Sequence, residues 1–270
     1  MSIRYMTPEE QNMPTERCEV QCRVHMNASS IIGTRKYQQD SFACIEIESG
    51  SMAVVCDGMG GLNGGEQASQ LSVEQLMNDF IRAMPMNNII QFYYDEAKKL
   101  DRMVYLLKDE KGNKLGAGTT IVSVIIKDKM LNWLSVGDSK IYVIRDGRLY
   151  CIVSEHNYRL TLDNLLQKGK ITIDEYKKEE YRAEALISFL GIGNVSLIET
   201  NTAPFELVAG DIILLCSDGL YKSLSDEQIL SVIKDNSFDY QKAADTLTAS
   251  ALRCANGAQD NTTVVILSYN

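Results

Sequence analysis

Apolar and polar positions divide the chain into short strand-like runs and two long helical stripes. Residues 19–28 alternate loosely at Val20, Cys22, Val24 and Met26, the period of a strand. Runs over 42–48 and 52–56 follow, with Ser49-Gly50 as the turn of a hairpin. Residues 66–84 carry Val73, Leu76, Met77, Phe80, Ile81 and Met84 at helical spacing, and Pro85 ends that helix. Residues 88–107 repeat the pattern with Tyr93, Ala97, Leu100, Val104 and Leu107. Four strands are predicted at 119–126, 130–136, 140–145 and 149–153, with turns at Asp128-Lys129 and Asp146-Gly147. Residues 155–190 are polar, lysine-rich and irregular, which predicts short helices in an exposed excursion. Strands at 195–201, 211–216 and 262–268 and helices at 226–233 and 240–254 complete the chain. Strand clusters alternating with helix pairs, without βαβ regularity, predict antiparallel sheets covered by helices.

Pro8, Pro14 and scattered polar residues make 1–17 a flexible lead-in. The rest, 18–270, shows no linker or repeat and reads as one domain. Charged residues near the start argue against a signal peptide, and no apolar run reaches the ~20 residues of a spanning helix. The 27 Lys and Arg against 36 Asp and Glu leave a net charge of −9, which argues against a basic nucleic-acid-binding face. Seven cysteines without a Cys-x-x-Cys pair, and only two histidines, argue against a zinc site and fit a reducing cytoplasm. Cys44, Cys56 and Cys216 lie in apolar strand patterns, as small hydrophobes do.

The chemistry sits where apolar strands stop. Residues 53–56 end at Asp57 and a glycine-rich turn; residues 134–136 lead through Gly137 to Asp138, and 212–216 through Ser217 to Asp218. Asp260 stands just before the final strand. A carboxylate fixed at the end of a buried strand is costly without a cation beside it. Four of them predict one all-oxygen site for hard cations such as Mg²⁺ or Mn²⁺.

Six motifs in order carry a family resemblance: Gly33-Thr34-Arg35 with Gln39-Asp40, Asp57-Gly58-Met59-Gly60-Gly61, Gly118-Thr119-Thr120, Val136-Gly137-Asp138-Ser139, Cys216-Ser217-Asp218-Gly219-Leu220, and Asp260-Asn261 with the strand after it. Together they resemble the metal-dependent protein phosphatases, the type 2C or PPM family, in its bacterial branch. The resemblance implies an α+β fold, a four-layer αββα sandwich with two antiparallel sheets packed centrally. It implies hydrolysis of phosphoserine and phosphothreonine in proteins by water activated between two Mn²⁺ or Mg²⁺ ions, without a phosphoenzyme. By resemblance Asp57 bridges both ions, Asp218 and Asp260 complete the first site, and the Gly58 carbonyl belongs to the second, which Asp40 holds through water. Asp138, sharing Asp218, matches the position that holds a third metal in bacterial relatives. Arg35 matches the phosphate-binding arginine, whose planar fork suits a phosphate dianion.

Some positions depart from the family pattern. Met59 replaces the histidine proposed as general acid in the eukaryotic branch, which points to a metal-bound water in its place. Gln38, Lys140, Glu155-His156-Asn157 and 187–191 also differ, around the excursion that corresponds to the family's flap. His156 reads as structural, Ser139 and Ser217 as strand-end packing, and Thr119 and Thr120 as fixing the strand near the site. The expected partners are phosphorylated proteins and a cognate Ser/Thr kinase, without nucleic acid or membrane, for a monomeric chain. The alternatives are a non-catalytic relative that binds phosphorylated partners, and an acidic calcium-binding domain. Retention of Asp57, Asp218, Asp260 and Arg35 favours the enzyme.

Overall fold

In the computed structural model the described residues are 24–61, 64–203, 205–237, 239–255 and 257–270. The lead-in expected over 1–17, together with Cys18, Cys22 and the start of the first predicted strand, lies outside them.

Two antiparallel sheets form the centre. One has the order β1 (Val24–Ile31), β12 (Thr262–Tyr269), β11 (Ile212–Cys216), β7 (Lys140–Arg145) and β8 (Arg148–Cys151). The other runs β10 (Phe205–Glu206), β6 (Met130–Val136), β5 (Ile121–Lys127), β3 (Gly50–Met59) and β2 (Asp40–Ile47). To it, β4 (Gly118–Thr119) adds on β3 and β9 (Glu199–Thr200) on β6. Helices α1 (Gly64–Ala83) and α2 (Ile89–Tyr105) cover the second sheet. Helices α5 (Asp218–Tyr221), α6 (Asp226–Asp235) and α7 (Tyr240–Cys254) cover the first. Between β8 and β9 lie α3 (Tyr158–Gln167), α4 (Ile173–Glu179) and one 3₁₀ turn (Glu180–Arg182).

The period of two in a strand explains the layering, because the central strands bury both faces. On β3, Ala53 and Val55 enter the core between the sheets, while Met52, Val54 and Cys56 face α1 and α2. On β11, Ile213 and Leu215 point inward, and Ile212, Leu214 and Cys216 pack beneath α5–α7. Each fully buried aliphatic side chain of this kind contributes about 1.5–3 kcal/mol. The result is the expected αββα sandwich, and no helix among the described residues is long and apolar enough to cross a membrane.

Several details differ from the sequence reading. Ile81 leaves the buried stripe of α1 and is 46% exposed, because Ala68, Ser69, Ser72, Val73, Leu76 and Phe80 form the core face. The β2–β3 turn sits one residue earlier than expected, closed by the pair Ile47 and Gly50. The strand expected over 195–201 shrinks to β9. The Val195 N–H instead meets the Asp101 carboxylate at 3.0 Å, and the Asn201 side chain accepts from the Trp133 N–H at 3.2 Å. By contrast the turns at Asp128-Lys129 (φ 50° and 66°) and Asp146-Gly147 (φ 51° and 70°) hold the left-handed backbone that tight hairpins require.

Helix α2 buries an acid away from the strand ends. Glu96 shares Lys99 with Asp79, and its carboxyl is raised from 4.5 to about 7, chiefly by burial and then by the Asp79 charge. Between those values the folded chain holds a proton that the unfolded chain has lost. The stabilisation is therefore full below about pH 4.5 and disappears as pH rises through about 7. Gln in its place keeps an N–H donor for Asp79 and never ionises. Glu96→Gln is expected to melt roughly 2–4 °C above wild type at about pH 8, and level with it at about pH 4.5, in a calorimetric pH series. Equal melting temperatures at both values would contradict this.

Candidate metal centre

The two sheets deliver their acidic strand ends to the same place. Asp40 opens β2 and Asp57 lies near the end of β3, paired directly across the ladder. Asp138 occupies the turn from β6 to β7, Asp218 follows β11 as the first residue of α5, and Asp260 precedes β12. Asp57 feels the charge of the other four. The Asp57 carboxyl is pushed well above its ordinary value of 3.8, first by burial and then by the charges of Asp40, Asp218, Asp138 and Asp260. Asp40 rises to about 7, mainly through burial, with Asp218 and Asp260 adding to the rise. Asp138 rises to about 6 through burial and the Asp218 charge, against the pull of Lys222. Such a cluster favours any cation that can enter it.

Hydrogen bonds hold the frame rigidly. The Ser217 hydroxyl donates to Asp40 Oδ2 at 2.7 Å and accepts from the Thr263 N–H at 3.0 Å, tying one sheet to the other. Ser217 thus does more than the strand-end packing that its sequence context suggested. Thr119 Oγ1 donates to the Asp57 carbonyl at 2.9 Å, and Thr120 Oγ1 accepts from the Asp57 N–H at 3.0 Å. These threonines fix the strand, as expected. Ser139 meets Thr120 at 2.8 Å. His156 is buried and accepts from the Gly137 N–H at 3.2 Å, a structural position.

Gly58 is required by contact rather than by dihedral angle. A Cβ there would lie 2.1 Å from the Gly65 carbonyl oxygen and 2.6 Å from that of Gln39. The loop bearing Arg35 is stapled by Asn261, whose Nδ2 donates to the Ile32 and Tyr37 carbonyls at 2.9 and 3.0 Å. Asn261 Oδ1 accepts from the Gln39 N–H at 2.8 Å. This role was hidden in the sequence because Asn261 read only as the neighbour of Asp260. The Arg35 side chain, 58% exposed, forms an ion pair with Asp260.

Lys222 was not foreseen. Its Nζ lies 2.6 Å from Asp218 Oδ2 and 3.8 Å from Asp138 Oδ2. Its signal was visible as a lysine four residues beyond Asp218, the spacing of a helical ion pair. With Asp260 turned to Arg35 and Asp218 to Lys222, no group of three acidic, histidine or cysteine side chains among the described residues is spaced to hold one ion as it stands. Two features still suit a hard cation. Asp40 Oδ1 and Asp218 Oδ1 are buried without a hydrogen-bond partner among the described residues, an expensive state that a cation would relieve. The side chains brought together here are carboxylates, hard oxygen donors that suit Mg²⁺ or Mn²⁺.

The family model for protein phosphatase 2C matches residues 29–256. The chain belongs to this family. It is an enzyme of the serine/threonine phosphatase class, on the bacterial side of the family. It is 25% identical over 240 residues to the serine/threonine phosphatase stp of Listeria welshimeri, covering 87% of this chain and 92% of that protein. It is 31% identical over 216 residues to the serine/threonine protein phosphatase PstP of Mycobacterium tuberculosis, covering 80% of this chain and 40% of that protein. Among solved structures, the catalytic domain of PstP in complex with two manganese ions superposes with a TM-score of 0.71 at 27% identity, over 92% of this chain and 99% of that one.

Proposed function

We propose that this 2C-family phosphatase removes phosphate from phosphoserine and phosphothreonine in proteins, using a two-ion centre at the paired sheet ends. The observation that carries the proposal is the convergence of five carboxylates from both sheets, two of them with buried oxygens unpartnered among the described residues, beside an exposed arginine. Asp57, the carboxylate that feels the other four, is assigned to both ions. Asp218 and Asp260 belong to the first, the Gly58 carbonyl to the second, and Asp40 supports the second through water. When bound, such ions activate a water nucleophile and neutralise charge on the phosphoryl group, so that no phosphoenzyme is needed. The remaining work is done by the chain. The Ser217 and Thr119–Thr120 hydrogen bonds hold Asp40 and the Asp57 strand in position, so little reorganisation is required during reaction.

Arg35 receives the substrate. Its guanidinium sits on an exposed loop against Asp260 and can turn its fork onto a phosphate dianion, which binds it bidentately. The excursion at 155–190 would act as the flap that shapes the approach, with phosphorylated proteins and their kinase as partners.

The test is the kinetics of Arg35→Ala on a phosphothreonine peptide. A lost charged hydrogen bond is worth about 1.5–3 kcal/mol, so KM is expected to rise roughly 10–100-fold, with a smaller fall in kcat. An unchanged kcat/KM would remove Arg35 from substrate binding, and absence of turnover by wild type would favour a phosphoprotein-binding relative.

A further inference from the structure

The family resemblance points to Asp138 and Asp218 as holders of a third divalent ion, but in this chain a lysine stands between them. Lys222 caps the short helix α5, its N–H bonded to the Asp218 carbonyl at 3.0 Å. Its ammonium reaches Asp218 Oδ2 at 2.6 Å and Asp138 Oδ2 at 3.8 Å. Tyr221, the residue before it, donates its hydroxyl to the Asp138 carbonyl at 3.0 Å and so fixes the Asp138 turn against the same helix.

The two oxygens of Asp218 are divided. Oδ2 is neutralised by Lys222, whereas Oδ1 is buried and has no hydrogen-bond partner among the described residues. Oδ1 remains for the ion that Asp218 is assigned to share with Asp57, and Oδ2 shares Lys222 with Asp138, the pair to which the resemblance assigns a third ion. An ammonium and a divalent cation cannot both occupy that place, because ligand oxygens hold Mg²⁺ or Mn²⁺ at about 2.0–2.2 Å and the two positive charges would then repel at contact distance.

We propose that the Lys222 ammonium is a built-in substitute for the third metal, bridging Asp138 and Asp218 and limiting this phosphatase to two ions. The inference rests on the two-ion reading above. It makes Lys222 a positioning residue: a fixed single charge takes the place of a recruited double one, and Asp218 is oriented without dependence on a third binding equilibrium.

The experiment counts Mn²⁺ bound to chelator-stripped protein, by calorimetry and by the spin-resonance signal of free Mn²⁺. Wild type, Lys222→Arg and Asp138→Asn are expected to bind two ions. Lys222→Ala and Lys222→Asn are expected to bind three, and Lys222→Ala combined with Asp138→Asn should return to two. Far-UV circular dichroism and melting curves establish that each variant is folded. Three ions in wild type, with one lost in Asp138→Asn, would overturn the inference while leaving the metal centre intact. Two ions in folded Lys222→Ala and Lys222→Asn would overturn it equally. No binding by any of the proteins would overturn the two-ion reading itself, and this inference with it.

Discussion

Asp57→Asn is expected to reduce phosphopeptide turnover by about 10³-fold or more, and at the same time to make the metal-free protein more stable. The two effects have one cause. Asp57 carries charge into a place where burial and four other carboxylates oppose it. Asparagine is nearly the same shape, keeps the backbone bonds to Thr119 and Thr120, and removes that charge. The variant should therefore melt a few degrees higher without metal, the result of about 1–2 kcal/mol less repulsion. It should also lose the one side chain assigned to both ions. Several kcal/mol of transition-state stabilisation depend on such an ion pair, and each 1.36 kcal/mol is tenfold in rate. Parallel calorimetry and steady-state kinetics check both signs. A variant that is both inactive and less stable would make Asp57 a structural residue, and one that keeps its activity would remove it from the centre.

Gly58→Ala should cause a large loss of stability. The new carbon would meet two backbone oxygens, of Gly65 at the start of α1 and of Gln39 beside Asp40. Neither can rotate away, so helix and strand must separate at the point where Asp40 and Asp57 are held together. Overpacking of this severity costs about 3 kcal/mol or more, a fall in melting temperature on the order of 6–12 °C. Metal affinity should fall with it, because the Gly58 carbonyl and Asp40 move. Gly61→Ala is the matched control, since its Cβ would meet none of the described residues within 4 Å. Equal melting temperatures for the two variants would contradict the packing described here.

The layering and the acidic residues were legible in the sequence for a simple reason. Strands buried on both faces read as continuous apolar runs, and a carboxylate that ends such a run stands out against it. That is how Asp57, Asp138 and Asp218 could be singled out before their convergence was visible. What stayed hidden was local and polar. The four residues of α5 are too few to show a period, so Lys222 had no helix on which to be placed. Ser217 and Asn261 act through partners 177 and 222 residues away, Asp40 and Gln39, and nothing in their neighbours specifies that. The shortened strand before Asn201 has the same origin: side-chain carboxylate and amide groups satisfy backbone that apolar alternation had assigned to a ladder.

The central claim, phosphate-ester hydrolysis dependent on a metal held by these carboxylates, is tested most directly by one assay. Protein stripped by chelator is incubated with a phosphothreonine peptide, and released phosphate is measured before and after addition of Mn²⁺ or Mg²⁺. The structure predicts no release from the stripped protein and restored turnover on adding the ion, with Asp218→Asn inactive throughout. Turnover that survives chelation, or that Asp218→Asn retains, would contradict the account.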